Sequence, residues 1–140
     1  MSNINHKPME AKTTYLQIIQ GVINRLANNS FLLKGWSITL VSVIVALGAN
    51  NSEKIFMLLA FFPGLAFWIL DGYFLSQEKR YRNLYELVAK MDVSSIDFTL
   101  DTKQVGDFSN SWARVLFSRT LLIFHGIIAS SILFVLFLTR

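Results

Sequence analysis

Four titratable side chains lie within or at the ends of the most apolar stretches of this 140-residue chain. Lys34 and Asp71 belong to the first two stretches, and Arg119 and His125 belong to the last. A charge in such surroundings is costly unless it is paired, and it commonly marks an ion pathway, a proton relay or a structural ion pair. These residues are therefore the first candidates for a functional site.

The spacing along the chain predicts that Lys34 and Asp71 meet. Nearly equal numbers of residues separate them from a turn near Ser52, so an antiparallel pair of helices places them at one depth. Arg119 enters the last apolar stretch from the same side and is expected to join them in an intramembrane charged layer. Two roles stay open for this layer: a structural network that fixes helix register, or ion passage and gating.

Uncharged polar side chains form a second set of candidates. Gln17, Gln20 and Asn24 share one face of an N-terminal helical pattern, and His125 lies among Ile, Leu and Phe. Either these residues bond across to another helix, or they face a pore or a ligand. For the N-terminal helix, a packed or interfacial position is the alternative to a functional polar face.

The composition indicates a membrane protein. Hydrophobic residues make up 53% of the chain and charged residues 16%, with a mean hydropathy of +0.45, which is more apolar than a soluble domain of this size can bury. The absence of cysteine excludes disulfides, thiolate metal sites and a cysteine nucleophile. No metal-binding cluster, phosphate-binding glycine loop or serine with a base is evident, so neither an enzyme nor a cofactor is expected.

The apolar periodicity predicts an all-α membrane protein with three transmembrane helices in one domain of residues 1–140. The predicted segments are an amphipathic helix (9–28), a first span (30–50), a second span (55–77) continuing as a cytosolic helix to about 91, a cytosolic connector with a short strand or extended segment (92–112), and a third span (115–139). Lysine and arginine residues precede the first span and lie between the second and third. They place the N-terminus inside and the C-terminus outside.

Special backbone residues interrupt the second span. Pro63 and Gly64 predict a kink there, which serves either packing or a gating hinge. Small residues at a spacing of four, Ala60 with Gly64 and Gly126 with Ser130, permit close helix approach within one subunit or between subunits.

Two motifs carry a resemblance to known proteins. The patterns NSFxLKGW, at residues 29–36, and FWxLDxYxLxQE, at residues 67–78, resemble a family of small uncharacterised bacterial multi-helix membrane proteins. The layout of a membrane hairpin with an emergent helix is more loosely similar to RipA-like octameric membrane proteins and to antiphage membrane effectors. Those families imply oligomeric assemblies that impair the membrane on activation.

The sequence thus predicts a homo-oligomeric, multi-pass protein of the bacterial inner membrane that forms a pore or perturbs the membrane, with antiviral defence as the setting implied by the resemblance. The alternative is a membrane anchor or accessory subunit that recruits a cytosolic partner protein. The expected partners are bilayer lipids, further copies of the chain, and a cytosolic protein or nucleotide signal. The spacing of Arg119 and His125 resembles HEPN ribonucleases, but the apolar surroundings of His125 exclude RNA, and no nucleic-acid binding is expected.

Overall fold

The computed structural model describes residues 6–51, 54–105 and 111–138, and within these ranges the chain is helical and contains no strand. The helices are α1 (His6–Asn51), α2 (Lys54–Leu59), α3 (Phe61–Lys90), α4 (Trp112–Leu116) and α5 (Arg119–Leu138), with 3₁₀ turns at Val93–Ser95 and Lys103–Val105. The predicted all-α class is confirmed.

The first helix, α1, is a single element of 46 residues. The sequence predicts a boundary near Asn29 between an amphipathic helix and a first span, but this prediction is wrong, because α1 passes through that point without interruption. The only proline in α1 is Pro8, in its first turn, where the missing N–H breaks no intrahelical bond. At 1.5 Å per residue α1 is about 69 Å long, roughly twice the thickness of a hydrocarbon layer.

The predicted second span is divided between α2 and α3. The helix is interrupted at Ala60, just before Pro63, because a proline cannot donate to the carbonyl of Leu59 and its ring crowds that carbonyl. The N–H of Gly64 then donates to the carbonyl oxygen of Ala60 at 3.4 Å, and α3 continues from there to Lys90 without a further break.

The predicted third span is also divided. α4 ends at Leu116, Phe117 leaves the helical conformation with φ −96° and ψ 17°, and α5 begins at Arg119. In the connector, residues 96–102 form neither a helix nor a strand, and residues 106–110 lie outside the described part. Ile96 is buried in the cluster that joins α1 and α3, which attaches this segment to the helices.

Two helices, α1 and α5, are long and apolar enough to cross a membrane. The α3 helix does not meet this test because its apolar part is shared with α2 and its second half is charged. Length and composition therefore support two spans within the described residues.

Two clusters of buried residues hold the helices together. One joins the N-terminal part of α1 to the C-terminal part of α3 through Ile19, Ile23, Leu84 and Val88. We call these two helix parts, residues 6–28 and 78–90, the polar helix pair. The second cluster contains Val41, Ala60, Ile128 and Ile132, from α1, the interruption before α3, and α5. We call the helix parts around it, residues 30–49, 54–77 and 119–138, the apolar half.

Candidate functional site

Asp71 lies between the two clusters and is completely buried, with a relative exposure of 0%. The Nζ of Lys34 is 2.6 Å from its Oδ2 and 2.8 Å from its Oδ1. The hydroxyl of Ser30 donates to Oδ1, and Nε2 of His125 lies 3.3 Å from Oδ2. These four residues, from α1, α3 and α5, are called the Asp71 junction.

Helical spacing explains how α1 contributes two members. Ser30 and Lys34 are one turn apart and share a face, so both reach α3. The Lys34 ammonium also donates to Ser30 Oγ at 2.9 Å and lies 5.8 Å from the centre of the Phe124 ring. The ammonium is therefore surrounded by a carboxylate, a hydroxyl and an aromatic face, each of which favours a positive charge.

The charges at the junction balance, since one carboxylate faces one ammonium. Every carboxylate oxygen has two partners, which is the condition under which a buried ion pair is tolerated. The carboxylate has no exposed surface, so in a single copy of the chain it lines no channel. This arrangement favours the structural role over direct contact with passing ions.

Arg119 does not belong to the junction, contrary to expectation. It is the first residue of α5 and is exposed, whereas His125 is 8% exposed and contacts Asp71. At about 100° per residue, six residues of helix turn Arg119 some 120° away from His125. The face that points inward is the one with Leu121, His125, Ile128 and Ile132, and this spacing is the sequence signal that identifies His125.

The three amide residues predicted as a polar face of α1 also lie apart from the junction. Gln17, Gln20 and Asn24 are exposed on the side of α1 that faces away from α3. Gln20 Nε2 donates to Asn24 Oδ1 at 3.0 Å, a contact within the helix. Among the proposed polar sites, only His125 bonds to another helix.

Two tryptophans that were not expected at the site attach α4 to α3. Trp68 Nε1 donates to the carbonyl oxygen of Leu116 at 3.0 Å, and Trp112 Nε1 donates to that of Ile69 at 3.2 Å. Gly72, next to Asp71, allows this contact, because a Cβ there would lie 2.5 Å from Cδ2 of Leu116. Apolar periodicity does not predict these bonds, because they depend on where α4 lies relative to α3.

An apolar cleft of about 390 Å³ lies between α3 and α5, beside the junction. Its lining includes Leu65, Trp68, Gly126 and the ring of His125, whose Nδ1 is buried without a hydrogen-bond partner. The lining offers almost no polar atoms, so the cleft suits an apolar occupant.

The small residues predicted for close helix approach separate into two groups. Ala60 is buried, and a Cβ on Gly64 would lie 4.0 Å from Val41 Cγ2, so this pair packs inside the chain. Gly126 and Ser130 are exposed, and a Cβ on Gly126 would meet nothing within 4 Å.

The connector is attached to the polar helix pair. The Tyr15 hydroxyl donates to the carbonyl oxygen of Thr99, and the Tyr15 ring meets that of Phe98 edge-on at 5.3 Å. Lys12 Nζ donates to the carbonyl oxygens of Ala89 and Met91, at 3.0 and 2.7 Å, at the end of α3. Burial, followed by the charge of Asp97 and the neighbouring Tyr81, raises the pKa of Tyr15.

Comparison of the chain with protein-family models, with curated proteins and with solved structures found no match.

Proposed function

We propose that the chain is a multi-pass membrane protein that assembles into homo-oligomers and perturbs the membrane, with the Asp71 junction as its coupling element. The observation that carries the proposal is the position of this junction. It joins α1, α3 and α5 where the polar helix pair gives way to the apolar half.

Exposed apolar surface supports membrane insertion. Of the most apolar 18 residues in each of α1 and α5, only 17% is buried within the chain. Phe31, Phe62 and Phe137 are 73%, 77% and 69% exposed. A helix from the core of a soluble protein hides such side chains from water, whereas lipid accommodates them. We assign α2 with the first half of α3 to a third span and place the polar helix pair in the cytosol.

Helix continuity supports a coupling role. Both α1 and α3 run without a break from the polar helix pair to the Asp71 junction. A partner protein or nucleotide that shifts one of these helices along the other displaces Lys34 relative to Asp71. Separating these two buried charges is costly, so the ion pair resists the displacement. The membrane-spanning helices therefore move together with the shifted helix.

Burial of the charges supports assembly as the route to membrane damage. In the described part of a single copy, the ionisable side chains Asp71 and His125 are buried and face other helices, so they line no path for ions. Ion leakage therefore requires several copies, or disorder of the lipid around them. Bilayer lipids and further copies are the partners in this account.

The proposal is tested by inducible expression in bacteria loaded with a voltage-sensitive dye. We expect depolarisation, and we expect Asp71→Asn to change its extent. Asp97→Asn, which removes the same charge from an exposed connector position, is the matched control and leaves the response unchanged. An unaltered potential together with a monomer in detergent contradicts the proposal.

A second function, that of a membrane anchor, rests on a different observation. The polar helix pair and the connector have their own buried cluster, so they form a stable surface on which a cytosolic protein docks. A partner that co-purifies in fixed ratio from cells of normal membrane potential favours this function over membrane perturbation.

A further inference from the structure

The Asp71 carboxylate contacts two side chains that are able to carry a positive charge. Nζ of Lys34 reaches it from α1, and Nε2 of His125 reaches it from α5, 3.3 Å from Oδ2. The two differ in how they are enclosed. The side chain of Lys34 is 21% exposed, whereas those of His125 and Asp71 are 8% and 1% exposed. Lys34 is therefore the member that is able to leave, while Asp71 and His125 stay buried together.

No other ionisable side chain in the described part of the chain contacts Asp71. Arg25, Arg114 and Arg119 of the surrounding helices are exposed, Glu78 of α3 is paired with Arg82 at 2.8 Å, and Lys54 begins α2 at the end of the apolar half away from the junction. A buried charge needs a counterion nearby. His125 is thus the second counterion within reach of Asp71.

The hydrogen bonds assign the protons of His125 while Lys34 is in place. A carboxylate oxygen only accepts, so the ring hydrogen lies on Nε2, and Nδ1 keeps its lone pair. Nδ1 is buried and has no hydrogen-bond partner. A proton on Nδ1 adds a second positive charge beside a carboxylate that Lys34 already balances, so the imidazole is neutral in this arrangement.

We propose that His125 is a reserve counterion for Asp71, which takes up one proton when the ammonium of Lys34 leaves the carboxylate. The proton comes from water and binds to the lone pair of Nδ1, no other covalent bond changes, and Lys34 keeps its own proton. The buried pair is then neutral in both states, as ammonium with carboxylate or as imidazolium with carboxylate. The displacement of Lys34 rests on the proposed coupling, whereas the proton uptake is argued from the contacts of Asp71 alone.

The neighbouring aromatic rings suit both states. The centre of the Phe124 ring lies 5.8 Å from Nζ of Lys34 and 5.1 Å from the centre of the His125 ring. The Trp68 ring lies 6.3 Å from the His125 ring and is tilted by 33° against it. Aromatic rings attract a nearby cation, so the pocket that holds the ammonium also favours an imidazolium.

A coupling that depends on pH follows from this arrangement. Only the displaced state binds the additional proton, so a lower pH favours that state by mass action. A difference of one proton makes the displacement at most about tenfold more favourable for each pH unit. A stimulus of fixed strength is therefore expected to shift the helices more readily in acid.

The variant Lys34→Met imitates the displaced state, because it removes the ammonium and leaves the carboxylate. The purified protein is unfolded by heat in a mild detergent between about pH 6 and about pH 9, on either side of the ordinary titration of histidine. A proton held more tightly by the folded state stabilises it at the acid end, and this gain is lost as the pH rises. Relative to the unmodified protein, the unfolding temperature of Lys34→Met is expected to fall by about 5 °C or more across this range.

Two further variants separate the possible causes. Lys103→Met, which removes an exposed ammonium 3.6 Å from Asp101, is the matched control and follows the unmodified protein at every pH. In Lys34→Met/His125→Gln the amide still donates to Asp71 but takes up no proton, so the pH dependence is expected to disappear. If the double variant keeps the pH dependence of the single one, the carboxylate itself is protonated and the inference is overturned.

Nitrogen NMR locates the proton directly. The chain contains two histidines, so His6→Gln leaves His125 as the one imidazole that isotope-labelled histidine reports. At about pH 7 we expect the paired nitrogen shifts of an imidazolium in Lys34→Met and those of a neutral ring with Lys34 present. A neutral ring in both proteins overturns the inference.

Lys34→Gln, which keeps a hydrogen bond to Asp71 without a charge, repeats these measurements if Lys34→Met does not fold. Failure of both variants to fold at any pH in the range overturns the inference, since a reserve counterion supports at least the acid form. None of these measurements depends on membrane damage. An unfolding temperature that does not vary with pH, together with retained depolarisation, overturns the reserve counterion and leaves the proposed function standing.

Discussion

Lys34 and Asp71 lie 37 positions apart in the chain, yet Nζ of the first is 2.6 Å from Oδ2 of the second across α1 and α3. The hydroxyl of Ser30 and the imidazole of His125 complete the coordination of this carboxylate. The contact fixes the register of two helices that both extend into the polar helix pair, and it is the feature on which the proposed coupling depends.

Removing one member of the ion pair is expected to destabilise the protein strongly. Asp71→Asn leaves the Lys34 ammonium without its counterion, and losing one partner of a buried pair costs about 3–5 kcal/mol. Thermal unfolding of the purified protein in a mild detergent measures the loss.

The double variant Lys34→Met/Asp71→Asn is the informative control. Because it removes both charges, it is expected to recover most of the lost stability. Equal stability of the single and double variants contradicts a direct pairing of these two side chains.

Replacement by alanine is expected to destabilise the protein at His125 and to have little effect at Arg119. His125→Ala removes a hydrogen bond to a charged group, worth about 1.5–3 kcal/mol, and leaves a space in the core. Arg119 is exposed, so Arg119→Ala changes the unfolding free energy by less than about 0.5 kcal/mol. A larger effect at Arg119 than at His125 contradicts this assignment and indicates that the arginine, and not the histidine, belongs to the charged layer.

Residue spacing predicted the contact of Lys34 with Asp71 correctly, but it did not predict that His125, and not Arg119, joins them. Equal distance from a turn gives the depth of a residue in an antiparallel pair, and this was sufficient to place Lys34 opposite Asp71. Which side chain of a third helix reaches the Asp71 junction depends also on the rotation of that helix about its own axis. For α5 that rotation follows from the apolar face containing Leu121, Ile128 and Ile132, which places His125 inside and Arg119 outside.

The close contact of α3 with α4 is expected to depend on Gly72. Gly72→Ala places a methyl group 2.5 Å from Cδ2 of Leu116, so α4 must move, at a cost of about 1–3 kcal/mol. The second substitution in Gly72→Ala/Leu116→Ala removes the obstructing side chain and relieves that strain. As a control, Gly21→Ala meets nothing within 4 Å and raises stability by about 0.5–1 kcal/mol. Destabilisation by both glycine variants alike argues against the steric explanation.

Helix boundaries were the less predictable part of the fold. The polar residues around Asn29 predicted a helix boundary. The helix continues through them because amide side chains, unlike proline, leave the intrahelical hydrogen bonds of the backbone intact. Pro63 did reveal an interruption, which lies at Ala60 because proline affects the turn before it. The hydrogen bonds of Trp68 and Trp112 depend on the tertiary position of α4, so the apolar periodicity of the sequence does not predict them.

The connector is expected to loosen when Tyr15 loses its hydroxyl. Tyr15→Phe retains the ring contact with Phe98 but removes the bond to Thr99, worth about 0.5–1.5 kcal/mol. Hydrogen exchange at the amides of Ile96 and Val105 is expected to accelerate, with α5 unaffected. The exposed Tyr73→Phe serves as control, and unchanged exchange in the connector contradicts the role of this bond.

The same bond has a predictable pH dependence. Because the folded state raises the pKa of Tyr15, the neutral hydroxyl is favoured by folding. Its contribution is complete below the ordinary pKa of tyrosine, near 10, and is lost as the pH rises through the higher folded value. Exchange rates in the connector, corrected for the intrinsic effect of pH, should therefore stay constant through neutral pH and increase only in strong alkali.

The most direct measurement of the central claim is the decay of a potassium diffusion potential in liposomes that contain the purified protein. We predict that the potential collapses faster with protein than without it, and that the rate rises more steeply than in proportion to protein density, since several copies must assemble. Substitution of Asp71 by asparagine should alter this rate, whereas Asp97→Asn should not. A potential that persists unchanged at every protein density contradicts the account.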